Sequence, residues 1–239
     1  MDASPSAGTK LYMGTTALVG TTDTYIEVAG IESIPEHGRA YNEVTFTPLA
    51  SRGVQKYKGS FNDGSITVPL AKDLSDAGQA ALYAARDSDY DYNFKIEAND
   101  RVAPLVLTGV SMSAATPGVV TKTAHGLTAN TPIMFTAGSG TLPTGVTDGT
   151  TYYVKTVSTA DTFTVSATAG GAAIATTGSP TGTYTVTTVP TNSVAYFKAK
   201  VMSFTNNPGN VDAVLMGGVN LSIKSGSYTE VARMPAPIA

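Results

Sequence analysis

Between Ser113 and Pro190 the chain carries only four charged side chains, Lys122, Asp148, Lys155 and Asp161, and their charges cancel. Of the 15 basic and 18 acidic residues, the other 29 lie on either side, together with the whole net charge of −3. A shift this abrupt, entered near Pro117 and left at Pro190, reads as a module inserted into another domain. Low charge alone would also suit a flexible linker. The apolar runs decide against that: Pro132–Phe135, Tyr152–Val154, Phe163 with Val165, and Tyr184 with Val186 recur, and turn residues stand between them at Leu142–Gly145, Asp148–Gly149 and Gly170–Gly171. Threonine favours strands. The pattern predicts a small all-β domain over 113–190, a barrel or sandwich, inserted into a β-domain formed discontinuously by 1–112 and 191–239.

The flanks alternate with period 2, the mark of half-buried antiparallel strands. Ile66, Val68 and Leu70 oppose Ser65 and Thr67; Phe94, Ile96 and Ala98 oppose Asn93, Lys95 and Glu97; Val219, Leu221 and Ile223 oppose Asn220, Ser222 and Lys224. In 194–204 both faces carry bulk. Phe197, Ala199 and Val201 lie on one, and Tyr196, Lys198, Lys200, Met202 and Phe204 on the other, an amphipathic face suited to an intersubunit contact. One helix is predicted over 74–86, capped by Asp73, with Leu74, Ala77, Ala81, Leu82 and Ala85 along one side. Gly78 inside it costs about 1 kcal/mol relative to Ala, so the helix needs tertiary support.

Composition removes several functions. There is no cysteine, which excludes disulfides, thiolate metal sites and cysteine nucleophiles. The mildly acidic balance argues against a nucleic-acid binder held by phosphate contacts. No secretory signal or membrane-spanning stretch is read, so the expectation is a soluble, non-secreted chain without a membrane anchor. Of the bases a catalytic triad requires, only His37 and His125 are present, and both sit in turns. No enzyme activity and no cofactor are expected. Asp87, Asp89 and Asp91 repeat the opening of a calcium loop, but Tyr92 stands where that loop needs glycine and Ala98 where it needs glutamate. This leaves a weak cation site set against the simpler reading of a solvated helix-to-strand loop, with Arg86 as the local counter-charge.

Residues 36–60 are the odd segment. A connection of that length in a β-domain is either functional or disordered, and this one bears Tyr41, Val44, Phe46, Leu49, Val54 and Tyr57 beside the basic Arg52, Lys56 and Lys58. The expectation is burial against a neighbouring subunit.

The order of the flanking segments resembles the major tail protein, or tail tube protein, of long non-contractile (siphovirus-type) bacteriophage tails. The residues that carry the likeness are 25–34 (Tyr-Ile-Glu-Val-Ala-Gly-Ile-Glu-Ser-Ile), 43–49, 58–68, the helix, 93–96, 195–201 and 217–226. The middle segment is similar to a small β-module that recurs in phage structural proteins. The resemblance implies a β-sandwich or barrel with one flanking helix. Six copies form a ring, and rings stack into a tube whose lumen conducts DNA from capsid to host. It implies partners in further copies of the chain, the tape measure protein and the tail terminator and tip proteins. It places the protein in the virion after synthesis in the bacterial cytoplasm. The segment 36–60 becomes the ring-stacking hairpin, and the inserted module decorates the tube exterior. A reading from another class is a surface-binding adhesin that uses 113–190 for recognition.

Overall fold

The computed structural model describes residues 6–16, 23–50, 52–138, 140–210 and 212–234. Its elements, in chain order, are β1 (Lys10–Met13), β2 (Ile26–Val28), β3 (Ala40–Phe46), β4 (Gln55–Asn62), β5 (Ser65–Ala71), α1 (Ala77–Arg86), β6 (Tyr92–Glu97), β7 (Val106–Met112) and β8 (Val119–Thr121). There follow β9 (Pro132–Thr136), β10 (Thr151–Thr159), β11 (Thr162–Ser166), β12 (Tyr184–Thr188), β13 (Val194–Asn207), β14 (Met216–Ile223) and β15 (Thr229–Val231). The fold is mainly β, with one helix among the described residues, and it divides into two compact units: residues 1–99 with 194–231, and 100–193 with 232–239.

The first unit is built on an antiparallel sheet in the order β2-β1-β6-β13-β14-β5, with β15 also paired to β13. Its alternating residues meet in register: Val68 opposite Val219, Ile66 opposite Leu221, Phe94 opposite Phe197. One face of the sheet buries Leu11, Val68, Leu70, Phe94, Phe197, Val219 and Leu221 with Leu82 of α1. Phe94 and Phe197 stack with centroids 5.7 Å apart. The outer edge of β5 is not left open. Ala71 N–H donates to Gly30 O (2.7 Å) and Glu32 N–H to Pro69 O (3.0 Å), so residues 30–32 cover it.

The helix starts later than its apolar pattern predicts. Asp76, not Asp73, is the N-cap, and its carboxylate accepts from Gln79 N–H. Asp73 closes the turn before it, accepting from Ser75 N–H and Oγ–H. Leu74 therefore lies outside the helix and is half exposed. Gly78 faces the β2 backbone. A Cβ there would lie 2.1 Å from Glu27 O, so the glycine is what allows the approach. Gln79, fully buried, donates from Nε2 to Ala29 O (2.9 Å) and Ala71 O (2.8 Å) and accepts at Oε1 from Asp73 N–H (2.9 Å). The helix N-terminus thus ties together three passages of chain.

The second unit is a closed six-stranded barrel, β10-β11-β8-β7-β12-β9. It is filled by Val110, Val120, Ile133, Phe135, Val154, Phe163, Val165, Tyr184 and Val186. It begins earlier than 113, because β7 pairs with β12 and β8. The composition shift marks where charge disappears; strand pairing sets the boundary. Several polar side chains inside find backbone partners. Thr176 Oγ1 donates to Ser113 O (2.7 Å) and the Tyr184 hydroxyl to Thr141 O (2.7 Å). His125 is buried with its ring 4.8 Å from that of Phe163, and Nδ1 accepts from Leu127 N–H (3.0 Å). The two ends of the unit are clasped: the Asp100 carboxylate accepts from Ser193 N–H (2.7 Å) and Oγ–H (2.6 Å), and Arg233 donates to Asp100 O (2.8 Å).

Candidate assembly interface

The segment 36–60 folds as a ribbon. Among the described residues β3 and β4 pair only with each other, and every residue of β3 is exposed. The register sorts its side chains onto two faces, because directly opposed residues share a face. Tyr41 opposes Phe61, Glu43 opposes Lys58 and Thr45 opposes Lys56; between them Val44 opposes Tyr57 and Phe46 opposes Gln55. A register shift near Asn42 keeps Phe61 and Lys58 on the Tyr41 side.

The first face satisfies itself. Lys58 Nζ lies 4.7 Å above the Tyr41 ring, Tyr41 and Phe61 have centroids 5.6 Å apart, Arg39 covers Phe61 at 4.4 Å, and Lys56 pairs with Glu43 at 3.1 Å. The second face does not. Val44, Phe46 and Tyr57 are each half exposed or more, and Leu49 at the tip is fully exposed. Gly59 lets Val44 lie close to the ribbon, since a Cβ there would sit 2.8 Å from Val44 Cγ2. Together these four side chains expose on the order of 400 Å² of apolar surface, the size of the largest, often functional, patch on a single chain. A lone two-stranded ribbon is marginal in water. Arg52 is exposed at the tip with no ion-pair partner among the described residues, and Ser51 lies outside the described residues.

The ribbon is held at its root. Asp63, in the turn after β4, is buried, and Arg39 Nε and Nη2 reach its two oxygens at 2.8 and 3.3 Å. Gly226 N–H donates to the same carboxylate at 2.7 Å. The Arg39 guanidinium, with these backbone donors, outweighs burial and holds the Asp63 carboxyl below its ordinary range. Nothing in the sequence pattern points to this role; Asn62-Asp63-Gly64 reads as a turn. Near the root a cavity of about 510 Å³ is lined by Gly8, Ile31, Glu32, Ile34, His37 and Ile96, among others.

The second expected surface, on β13, is different from its sequence reading. A bulge between Val201 and Ser203 reverses the alternation, and Phe204 joins the core, edge-on to Tyr83 at 6.0 Å. Tyr196 is buried beside Tyr25. Lys198 donates to Thr16 O (3.1 Å) and Lys200 pairs with Asp91 (3.2 Å), leaving Met202 as the exposed apolar member. Two of the three carboxylates of the 87–91 loop are also occupied. Arg86 takes Asp87 in a bidentate pair at 2.9 Å, and Asp91 lies between Lys200 and Lys224 (3.2 and 3.1 Å). No group of three metal-ligating side chains occurs among the described residues, so these aspartates form no cation site there. No described helix is long and apolar enough to cross a membrane. No family model matches the chain, and no curated protein matches it.

Proposed function

We propose that the chain is a structural subunit that assembles with copies of itself into the tail tube of a long non-contractile bacteriophage tail. In this reading hexameric rings stack around a DNA-conducting lumen, with the tape measure, terminator and tip proteins as further partners. The supporting observation is the β3–β4 ribbon, whose apolar face has no partner among the described residues and whose root is locked by a half-buried ion pair. Such a ribbon is stable when a neighbour covers it. Contact between a ribbon on one copy and a different surface on the next is heterologous, the geometry of rings and filaments. The barrel, closed on itself and clasped at Asp100 and Ser193, suits an exterior decoration.

Electron microscopy of the purified chain tests this. Rings or tubes with sixfold symmetry are expected. Replacing 41–57 by a short Gly/Ser linker should leave a folded monomer. Wild-type tubes from that variant, or a wild-type chain that stays monomeric at high concentration across a range of salt, refute the reading.

A further inference from the structure

Granting the assembly reading above, we propose that the ribbon tip of one copy docks into the Ile31–Ile34–Ile96 cavity of a second copy, with Leu49 as the apolar plug and Arg52 paired to Glu32. Three observations carry this. The tip presents one fully exposed large apolar side chain and, three residues on, a cation without an ion-pair partner among the described residues. The cavity supplies the complement: isoleucine side chains at 31, 34 and 96, and the exposed carboxylate of Glu32, which likewise has no ion-pair partner among the described residues. At about 510 Å³ the cavity has room for the Pro48–Leu49 tip, being in the ~300–1,000 Å³ range of pockets that take a group of that size.

The third observation is reach. His37, which lines the cavity, stands just before β3, so cavity and ribbon root are neighbours along the chain. The seven residues of β3 carry the tip roughly 23 Å from that root at about 3.3 Å per residue. The Arg39–Asp63 pair holds the root, and the cross-strand ladder holds the ribbon extended. A tip so placed does not return to its own cavity. Plug and socket therefore meet only between copies, and because they are different surfaces the contact propagates head to tail.

The absence of cysteine makes the test clean. The full chain carrying Leu49→Cys is mixed with one carrying Ser33→Cys, an exposed position lining the cavity, under mild oxidation. A disulfide-linked dimer is expected, since bridging requires Cα atoms within about 7 Å; Leu49→Cys mixed with Ala84→Cys should give none. In parallel, Arg52→Glu and Glu32→Arg should each raise the concentration needed for assembly about tenfold, and the double variant should return it to within about threefold of wild type. Assembled wild-type chain together with wild-type behaviour of both single variants, or no Leu49–Ser33 cross-link in assembled material, overturns the docking and leaves the tube reading intact. A wild-type chain that never assembles overturns both.

Discussion

Gly78→Ala separates helix propensity from packing. On propensity alone the change stabilises α1 by about 1 kcal/mol, because glycine is a poor helix former. The structure reverses the sign. The new Cβ would meet Glu27 O at 2.1 Å and Val28 Cα at 2.8 Å, both backbone atoms that no rotamer change can move. The helix must retreat from β2 by about 1 Å, and a gap of that size forfeits a quarter to a half of each contact across the seam. Leu82, wholly buried on the same helix, makes ~40–60 contacts of ~0.1–0.2 kcal/mol each. Losing that fraction of the part facing the seam, with the contacts of Ala85, costs about 2–4 kcal/mol. Against the propensity gain, the net loss is about 1–3 kcal/mol, the usual range for overpacking. The measurement is hydrogen exchange of the 79–86 amides under native conditions, with Ala80→Gly on the exposed side of α1 as the propensity control at about 1 kcal/mol of loss. Gly78→Ala with slower exchange than wild type would refute the reasoning.

Other expectations follow from single groups. Gln79→Leu leaves Ala29 O, Ala71 O and Asp73 N–H without their partner and should destabilise the first unit by ~2–4 kcal/mol in urea unfolding followed by exchange. Asp63→Asn should speed exchange at the ribbon root at pH 7 by the equivalent of ~2 kcal/mol, a buried-pair cost discounted because Arg39 is about a third exposed. Because the folded pKa of Asp63 is lowered, its contribution is present above the unfolded value of ~3.9 and is lost as pH falls through the folded one. Wild-type root protection should therefore drop below about pH 4, and the Asn variant should show a shallower drop. Excising 101–192 should yield a soluble first unit. Excising only 115–189 strands β7, with Leu107, Val110 and Met112, and should give aggregates on size-exclusion chromatography.

Much of the sheet was legible because period 2 is robust wherever one face is buried. Ile66, Val68 and Leu70, Phe94 and Ile96, and Val219, Leu221 and Ile223 all point inward as their spacing implies. The same rule fails on β13, since one extra residue in a strand inverts parity, and no local residue near Met202 announces the bulge that sends Phe204 into the core. The helix start was misplaced although a signal was present: Asp76-Ala77-Gly78-Gln79 has the spacing of a capping box, whereas Leu74 merely fits the apolar period. The apolar content of 36–60 was readable, but its division into a self-satisfied face and a bare one depends on register. The cavity beside Ile96 joins residues distant in sequence, and no pattern foretells it. Likewise Asp87 and Asp91 look like metal ligands until their arginine and lysine partners are placed beside them.

The closure of the barrel has a consequence for a chain that exposes a bare ribbon. Unpaired strand edges recruit any other edge they meet, so each additional one multiplies the wrong ways in which two molecules can join. A ring of six strands offers none, and residues 30–32 take up the edge that β5 would otherwise present. The edges left open are thereby those of β3 and β4 and of the three-residue strands β2 and β15. Crowded molecules of this kind would have few competing ways to adhere edge to edge.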